Sequence, residues 1–297
     1  KAFVSCGGKE SIQVFDPANL GNPPTEVLLE GELPRAMAVS PDGSTVYTAF
    51  FESGNQTTVV PGNTFAASGV CSPQGGCTNI SDDVINPAGP YGGALNAAAG
   101  IVPNAGTGFD PPLNPLNPPT DNSHTLIVRK NASGQWMDDN NHDWSTIITG
   151  GVGVRTVGWD MPDRDVAMLN ANSLALTYKT HLGNILMAMA VNPADGKVSV
   201  VGTDATNQVR FEPNLNGKFL RVNISQFTSG GSPAITDLNP HLTYTSSSVP
   251  QAQRELSVGD PRGIAWLADG SKAYITGMGS NNVIAVDASG ARVGGGA

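Results

Sequence analysis

The sequence predicts an all-β protein built from repeated four-stranded antiparallel sheets, and three observations support this. Glycine and proline are abundant, at 36 and 22 of 297 residues, and both interrupt helix interiors. Apolar residues make up 39% of the chain, which is enough for a buried core. Two sequence units recur, each with a side-chain period near two that is typical of strands.

One of these units occurs three times and has the form of a β-hairpin. Each copy is a short apolar run, then an Asp-Gly pair, then a second run rich in β-forming residues. The copies occupy residues 35–48, 187–200 and 262–275. Their turns contain Asp42-Gly43, Asp195-Gly196 and Asp269-Gly270. Because glycine accepts a positive φ without a Cβ clash, Asp-Gly between two strand-like runs indicates a tight turn.

A second unit supplies further strands, each ending at an acidic or amide residue followed by a turn. Its copies occupy residues 11–20, 165–174, 207–215 and 282–288. A fourth strand is expected at residues 26–29, 176–180 and 219–224. A four-stranded sheet repeated about every 40 to 45 residues is typical of a propeller blade, which buries its faces only against neighbouring blades. The sequence therefore predicts a β-propeller, with a β-sandwich as the alternative.

Five blade signatures are visible, at residues 1–31, 32–62, 125–182, 183–226 and 258–297. The first lacks its leading strand, and the last ends where an outer strand should begin. We therefore expect a single propeller domain over residues 1–297, incomplete at its C-terminus and part of a seven-bladed ring. A closed ring of five or six blades is the alternative. Insertions are expected at residues 52–122 and 228–256, either as decoration or as a binding face.

The repeat also resembles a known family. The order of an apolar strand, Pro-Asp-Gly-Ser, Tyr-x-Thr and then Ser-Asn-Asn-Val-Ile-Ala-Val-Asp resembles the bacterial YVTN-type (YncE-like or lactonase-like) β-propellers. Tyr274-Ile275-Thr276-Gly277 is close to the Tyr-Val-Thr-Asn signature. The resemblance covers roughly residues 1–60 and 155–297.

This resemblance implies several activities that the residues themselves do not establish. Some such propellers precede a di-haem cytochrome peroxidase portion, but the haem motif Cys-x-x-Cys-His is absent from this chain. Lactonase-type activity would need acidic and amide ligands around a metal in the central channel. Asp160, Asp163 and Asp165 are candidates, although turn residues are the simpler interpretation. Arg35 and Arg262 each follow a proline and open an inner strand, where they could line the channel or form structural hydrogen bonds.

One acidic cluster has the spacing of a metal loop. Asp139, Asn141 and Asp143 stand at alternate positions, which places three oxygen ligands around a tight turn, as in calcium loops. The match to the EF-hand pattern is partial, and a hydrophilic hairpin tip is the alternative. His142 and Trp144 lie in the same loop and suggest a second hypothesis, because some secreted copper proteins with a propeller fold use His ligands beside a modified Trp.

Cysteine spacing suggests an oxidising compartment. Cys71 and Cys77 enclose a short loop of turn residues and are predicted to form a disulfide, with two unpaired thiols as the alternative. Cys6 lies in an apolar stretch and is expected to be a small buried residue.

Charge and missing motifs exclude several functions. The 16 Lys and Arg residues against 25 Asp and Glu residues leave a net charge of −9, so no nucleic-acid partner is expected. The longest apolar run, residues 185–191, is too short to span a membrane as a helix. No Gly-x-Ser-x-Gly, His-Glu-x-x-His or phosphate-binding loop is present.

Together these observations predict a non-enzymatic scaffold, extracellular or periplasmic, that binds a protein partner or assembles with itself on a bacterial surface. Two other functions remain open at this point. The chain is alternatively the propeller portion of a larger secreted redox protein, either di-haem peroxidase-like or copper-binding, or a metal-dependent lactonase-like hydrolase. Calcium is the one cofactor for which the sequence carries a candidate site.

Overall fold

The computed structural model describes residues 1–60, 125–137, 143–145, 162–205, 211–212, 220–242 and 249–294. Regular structure in these ranges is nearly all β-strand, with a short α-helix at Gln251–Glu255 and a 3-10 turn at Gly7–Lys9. The predicted all-β class is confirmed. In the described part of the chain, no helix is long and apolar enough to cross a membrane.

The described strands number nineteen, and all their pairings are antiparallel. In chain order they are Ala2–Cys6 (β1), Ser11–Phe15 (β2), Thr25–Leu28 (β3), Glu32–Val39 (β4), Thr45–Glu52 (β5), Thr57–Val60 (β6), Thr125–Lys130 (β7), Trp136–Met137 (β8), Val166–Asn170 (β9), Leu176–Lys179 (β10), Ile185–Val191 (β11), Val198–Ala205 (β12), Phe211–Glu212 (β13), Leu220–Phe227 (β14), Ala234–Asp237 (β15), Pro261–Trp266 (β16), Lys272–Gly277 (β17), Asn282–Asp287 (β18) and Arg292–Val293 (β19).

Five sheets result, and four of them follow one another along the chain. Sheet 1 has the order β1-β2-β3, sheet 2 β4-β5-β9-β10, sheet 3 β11-β12-β14-β15 and sheet 4 β16-β17-β18-β19. Sheet 5 has the order β6-β7-β13, with β8 also paired to β7. In sheets 2 to 4 the spatial order of the four strands is the same as their order along the chain.

The three predicted Asp-Gly turns are confirmed. Gly43, Gly196 and Gly270 have φ values of +70°, +71° and +69°. In each turn the aspartate accepts a hydrogen bond of 3.0 Å from the backbone N–H two residues later. At Asp42 the hydrogen bonds from Ser40 and Ser44 lower the carboxyl pKa to about 2. The turn chemistry is thus local, and the same in all three copies.

Apolar layers fill the spaces between neighbouring sheets. In sheet 2, Val46 and Phe50 pack toward sheet 1, whereas Tyr47 and Ala49 pack toward sheet 3. In sheet 3, Val200 packs toward sheet 2 and Val201 toward sheet 4. Because successive side chains of a strand point to opposite faces, each middle sheet buries both faces. The four consecutive sheets therefore stack face to face in a β-propeller-like arrangement.

The first strands of sheets 2, 3 and 4 share a break in their pairing register. The break lies between Pro34 and Met37 in β4, between Leu186 and Ala188 in β11, and between Pro261 and Gly263 in β16. Each break falls at the first residue of the recurring hairpin unit. A β-bulge of this kind bends the strand and changes the direction of a side chain.

Sheet 2 corrects the predicted number of blades. The signatures at residues 32–62 and 125–182 were interpreted as two blades, but β5 pairs directly with β9, with Thr45 opposite Asn170. The two signatures are halves of one sheet. The insertion was placed at residues 52–122, whereas the chain leaves sheet 2 after Glu52 and returns only at Val166. Among the described residues, four of the five sheets therefore follow one another along the chain, and the fifth is built from strands that lie between theirs in sequence.

Sheet 3 corrects two further predictions. Residues 219–224 were expected to form an outer strand, but β14 is the third strand, pairing along its whole length with β12. The outer strand is β15, inside the stretch 228–256 that was interpreted as an insertion. Phe211 and Glu212, predicted to form a strand of the repeated sheet, pair instead with β7 in sheet 5. Both errors arose because residues 207–215 match the recurring unit in sequence, although β13 pairs in a different sheet.

The two terminal sheets agree more closely with expectation. Sheet 1 has three strands, as the missing leading strand predicted. Sheet 4 carries a short fourth strand, Arg292–Val293, where the sequence was expected to lack one. Cys6 is a free, half-buried cysteine.

Gly270 provides a test of how the sheets dock on one another. A Cβ at Gly270 would overlap the Asn192 side chain and lie 2.5 Å from the Ala194 Cβ, whereas a Cβ at Gly43 would meet nothing within 4 Å. Both glycines have the same φ, so each Gly→Ala substitution incurs about 1–2 kcal/mol of backbone strain. We expect Gly270→Ala to lower the free energy of unfolding by about 1–3 kcal/mol more than Gly43→Ala, as measured by urea denaturation. Equal losses would contradict close docking of the two hairpins.

Candidate functional site

A cluster of polar side chains lies where the chain leaves sheet 2 and later returns to it. At this edge of sheet 2, β5 and β10 end and β9 begins. In the neighbouring sheet 3, β11 begins and β12 ends at the same edge. We call this group of side chains the junction cluster. Its members are Ser53, Asn55, Gln56, Asp163, Asp165, His181, Asn184 and Asp204.

Amide side chains join sheet 2 to sheet 3 within this cluster. The Asn55 Nδ2 group donates to Asn184 Oδ1 at 2.8 Å, to Asp204 Oδ1 at 3.0 Å and to the Ala205 carbonyl at 2.9 Å. Asn184 Oδ1 also accepts from the Ala205 N–H at 2.7 Å, and its Nδ2 donates to the Ser53 carbonyl at 3.2 Å. Asn184 thus bonds backbone groups of both segments, Ser53 and Ala205, and Asn55 bonds the Ala205 carbonyl. These bonds fix the segment that follows β5, where the chain leaves sheet 2, to sheet 3.

Two strained residues of the cluster face each other. Gln56 and His181 have φ values of +62° and +64°, which non-glycine residues rarely adopt. The Gln56 Nε2 lies 3.0 Å from the His181 Nε2, and Asp163 accepts the His181 backbone N–H at 3.0 Å. The Asp163 Oδ2 also lies 3.5 Å from the His181 Nε2. Strained conformations persist only where surrounding contacts determine them, so this corner is held tightly.

Asp165 is the most unusual ionisable group of the cluster. It is fully buried, and its Oδ2 accepts a 2.7 Å hydrogen bond from the Leu182 N–H. Its Oδ1 has no hydrogen-bond partner. Burial, followed by the charge of Asp163, raises its pKa to about 8. At neutral pH the Asp165 carboxyl is therefore mainly protonated.

A second polar feature lies between sheets 1 and 2. A cleft of ≈ 420 Å³ is lined by Glu10, Glu30, Glu32, Glu52 and Arg164, among others. Arg164 lies 3.6 Å from the Glu30 carboxylate and also stacks on the Tyr178 ring. Across the described ranges, no three His, Cys, Asp or Glu side chains are grouped closely enough to hold a metal ion.

A third feature lies around the Phe51 ring of β5, which side chains from the first strands of sheets 2 and 4 both contact. The guanidinium carbon of Arg35 lies 4.1 Å from the centroid of the Phe51 ring, and that of Arg262 lies 5.5 Å from the same centroid. The guanidinium groups of two arginines from separate sheets therefore both lie against the Phe51 ring.

The predicted metal loop is only partly described. Asp143 is exposed, and its carboxylate accepts hydrogen bonds from Gln135 Nε2 at 2.7 Å and from the Ser145 N–H at 2.9 Å. Hydrogen bonds from the Ser145 side chain and backbone, and then from Gln135, lower the pKa of the Asp143 carboxyl. Trp144 is fully buried. Asp139, Asn141 and His142 lie outside the described residues, as do Cys71 and Cys77. The calcium, copper and disulfide predictions therefore stay predictions.

The sequence analysis missed most of the junction cluster. Asn184 and Asp204 carried no motif, and Asn55 stood only in an Asn-x-Thr triplet of the kind that chance alone produces. Asp165 was interpreted as a turn residue, whereas it is buried immediately before β9. Asp163 does lie outside the strands, and Asp160 is outside the described residues. One signal was available, since the repeat is interrupted close to Asn55 and again after Asp204. Because these two interruptions of the repeat begin in adjacent sheets, the segments that follow them are expected at the same edge of the stacked sheets.

Comparison with known proteins gives little further guidance. No family model matches this chain, and no curated protein matches it. Among solved structures, one match is a hydrazine synthase from Kuenenia stuttgartiensis, with 15% sequence identity over 96% of this chain and 72% of that chain. Its TM-score is 0.33, which is too low to establish a shared fold.

The raised pKa of Asp165 predicts how stability depends on pH. The unfolded carboxyl ionises near 3.8, whereas the folded one keeps its proton until about pH 8. The free energy of unfolding should therefore fall between about pH 4 and 8, by at most about 1.4 kcal/mol per pH unit. Asp165→Asn stays neutral and keeps an oxygen for the Leu182 N–H, so it should remove this dependence in urea denaturation between pH 5 and 8 (roughly the range where the two states differ).

Asp42→Asn is the matched control for this experiment. The pKa of Asp42 is lowered to about 2, so its carboxylate stabilises the fold at neutral pH and that contribution is lost only in acid. An unchanged pH slope in Asp165→Asn would show that Asp165 is ionised in the folded protein.

The amide bonds of Asn184 predict a local change in hydrogen exchange. Asn184→Ala leaves the Ala205 N–H without its side-chain acceptor. We expect the exchange rate of this amide to rise about tenfold or more, since a lost hydrogen bond of about 1–2 kcal/mol corresponds to that factor. Asn172→Ala changes an exposed amide far from the junction and should leave the rate unaltered. No change at Ala205 in Asn184→Ala would contradict the anchoring role.

Proposed function

We propose that this chain is a β-propeller segment that acts as a non-enzymatic binding or assembly scaffold outside the cytoplasm. The observation that carries the proposal is sheet 5. Its strands come from two segments of chain that do not belong to the four stacked sheets, one between β5 and β9 and the other between β12 and β14. We call these segments the excursions. They leave neighbouring sheets at the same edge. We call sheet 5 the platform, and it consists of β6, β7, β8 and β13.

The platform joins chain segments that are far apart in sequence. Thr57 of β6 pairs with Arg129 of β7, and Phe211 of β13 pairs with Leu126 of β7. The first three strands belong to the excursion between β5 and β9, and β13 belongs to the one between β12 and β14. Arg129 also donates a 2.9 Å hydrogen bond to the Ala205 carbonyl, at the end of β12.

Ordering long excursions is costly in conformational entropy, so they persist where they serve a role. Insertions on propellers collect on one face, and that face often carries binding. The junction cluster supports the same view, because Asn55 and Asn184 use their hydrogen bonds to fix the base of the platform. A surface held rigidly on a stacked core is suited to docking a protein partner or a second copy.

Two features of the sequence support the rest of the proposal. The predicted disulfide between Cys71 and Cys77 favours an oxidising compartment, extracellular or periplasmic. The chain also lacks the common catalytic and haem-attachment motifs. Fold alone does not decide function, because propellers host unrelated activities. The platform and not the stacked core is therefore the part to test.

Site-specific photo-crosslinking tests the proposal. A photoreactive residue replaces Ser133, which is exposed at the tip of the β7–β8 hairpin, or Ser271, which is exposed at the β16–β17 turn away from the junction. We expect the full chain in its native cells to yield adducts, with a partner or with itself, from position 133 and few from position 271. The captured protein should then bind the purified chain saturably. Equal labelling at both positions, or hydrolysis of lactones by the purified chain, would contradict the proposal.

A further inference from the structure

We propose that Arg35 and Arg262 form a site for the carboxylate of a small organic acid, at the Phe51 ring that both guanidinium groups contact. This site involves neither the platform strands nor the side chains of the junction cluster, and it does not depend on the scaffold proposal. Phe51, the ring shared by both guanidinium groups, is its centre. We call the three residues the arginine site.

The recurring unit itself places the two arginines. Both are the first residue of the hairpin unit, and both lie at the register break of their first strand. The equivalent residue of the intervening sheet 3 is Met187, which also lies at a break. Because a bulge redirects a side chain, three equivalent side chains leave the regular alternation at corresponding points. Two of the three are cations.

The geometry holds these two cations close together. Their guanidinium carbons lie 4.1 Å and 5.5 Å from the centroid of one Phe51 ring, so they are separated by no more than about 10 Å. The ring face attracts each guanidinium, which fixes their positions. Ser5 Oγ donates a 3.0 Å hydrogen bond to the Arg35 carbonyl and holds the backbone of the bulge. The site is thus arranged before any ligand binds.

The charge balance leaves one cation without an anion. Arg262 Nε donates a 2.7 Å hydrogen bond to Asp260 Oδ1, and that ion pair is partly buried. The Arg35 guanidinium makes no hydrogen bond or ion pair with any residue that the structure describes. The arginine site with Asp260 therefore carries a net charge of +1 in a chain whose net charge is −9. A monoanion would neutralise it.

The space beside Arg262 selects a small organic molecule. A cleft of ≈ 660 Å³ opens there, within the size range of small-molecule sites. It offers Thr276 and Asn281 as polar groups, and Met278 and Val283 as apolar ones, both largely exposed. A planar carboxylate matches the fork of a guanidinium. An acid with a partly apolar body would place its carboxylate on the Arg262 guanidinium, within about 10 Å of the Arg35 charge, and its body in the cleft that Arg262 lines.

The test uses phenylacetate with the full chain, and phenylacetamide as its neutral counterpart. Binding is followed by calorimetry and by the NMR signals of the arginine Nε–H groups. We expect saturable binding of phenylacetate in the millimolar range or tighter, shifts at Arg35 and Arg262, and no saturable binding of phenylacetamide. Arg35→Gln and Arg262→Gln should each weaken binding about tenfold or more. Arg35→Lys keeps the charge but loses the fork, so it should weaken binding less.

Arg254→Gln is the matched control, because it removes the same charge from the exposed helix Gln251–Glu255. It should bind phenylacetate as the wild type does. The proposal is overturned if the wild type shows no saturable binding up to about 10 mM, or if Arg35→Gln and Arg35→Lys both bind like the wild type. Equal weakening in Arg254→Gln would overturn it in favour of general electrostatic attraction. Tighter binding of inorganic phosphate would overturn the assignment to a carboxylate.

Discussion

The burial of both faces of each middle sheet is the constraint on which the rest of this structure depends. A four-stranded sheet with apolar residues on both faces is not stable alone, because one face or the other remains in water. Phe50 and Tyr47 are adjacent in β5, yet they belong to the layers on opposite sides of sheet 2. The same alternation in β12 joins sheet 3 to both of its neighbours. The stacking direction, and with it the common edge where the functional features lie, follows from this alternation.

Much of this architecture can be predicted from the sequence, because its causes are local. An aspartate that accepts a hydrogen bond from the backbone N–H two residues later, followed by a glycine with positive φ, forms a tight turn in each copy of the repeat. Strand partners are another matter. The end of β5 resembles the end of any other strand of the repeat. Nothing near Glu52 indicates that the strand paired with β5 is β9, which begins only at Val166. Pairing across such a distance is set by which apolar faces fit together, and local patterns carry no information about it.

The candidate sites divide in the same way. Arg35 and Arg262 could be identified as equivalent positions of a repeat, although their meeting at Phe51 required the stacked sheets. Asp165 could not be recognised, since its raised pKa results from burial beneath segments that are distant in sequence. Asn55 and Asn184 form a pair only because the excursion returns to the same edge. Functional groups that depend on one strand are thus predictable, whereas those that depend on the meeting of two sheets are not.

The split construction of sheet 2 also has a consequence for how the chain folds during synthesis. Hairpin β4–β5 is complete long before β9 emerges, because about 110 residues separate the two strands. Loop closure costs about 0.6 kcal/mol for each doubling of length, so joining them costs on the order of 3 kcal/mol more than closing a tight turn. Until then the edge of β5 that faces away from β4, with the sequence Thr-Val-Tyr-Thr-Ala-Phe-Phe, lacks its second partner strand. Such an edge is prone to pair with other chains, and the nascent protein would benefit from a chaperone that covers β5 until β9 arrives.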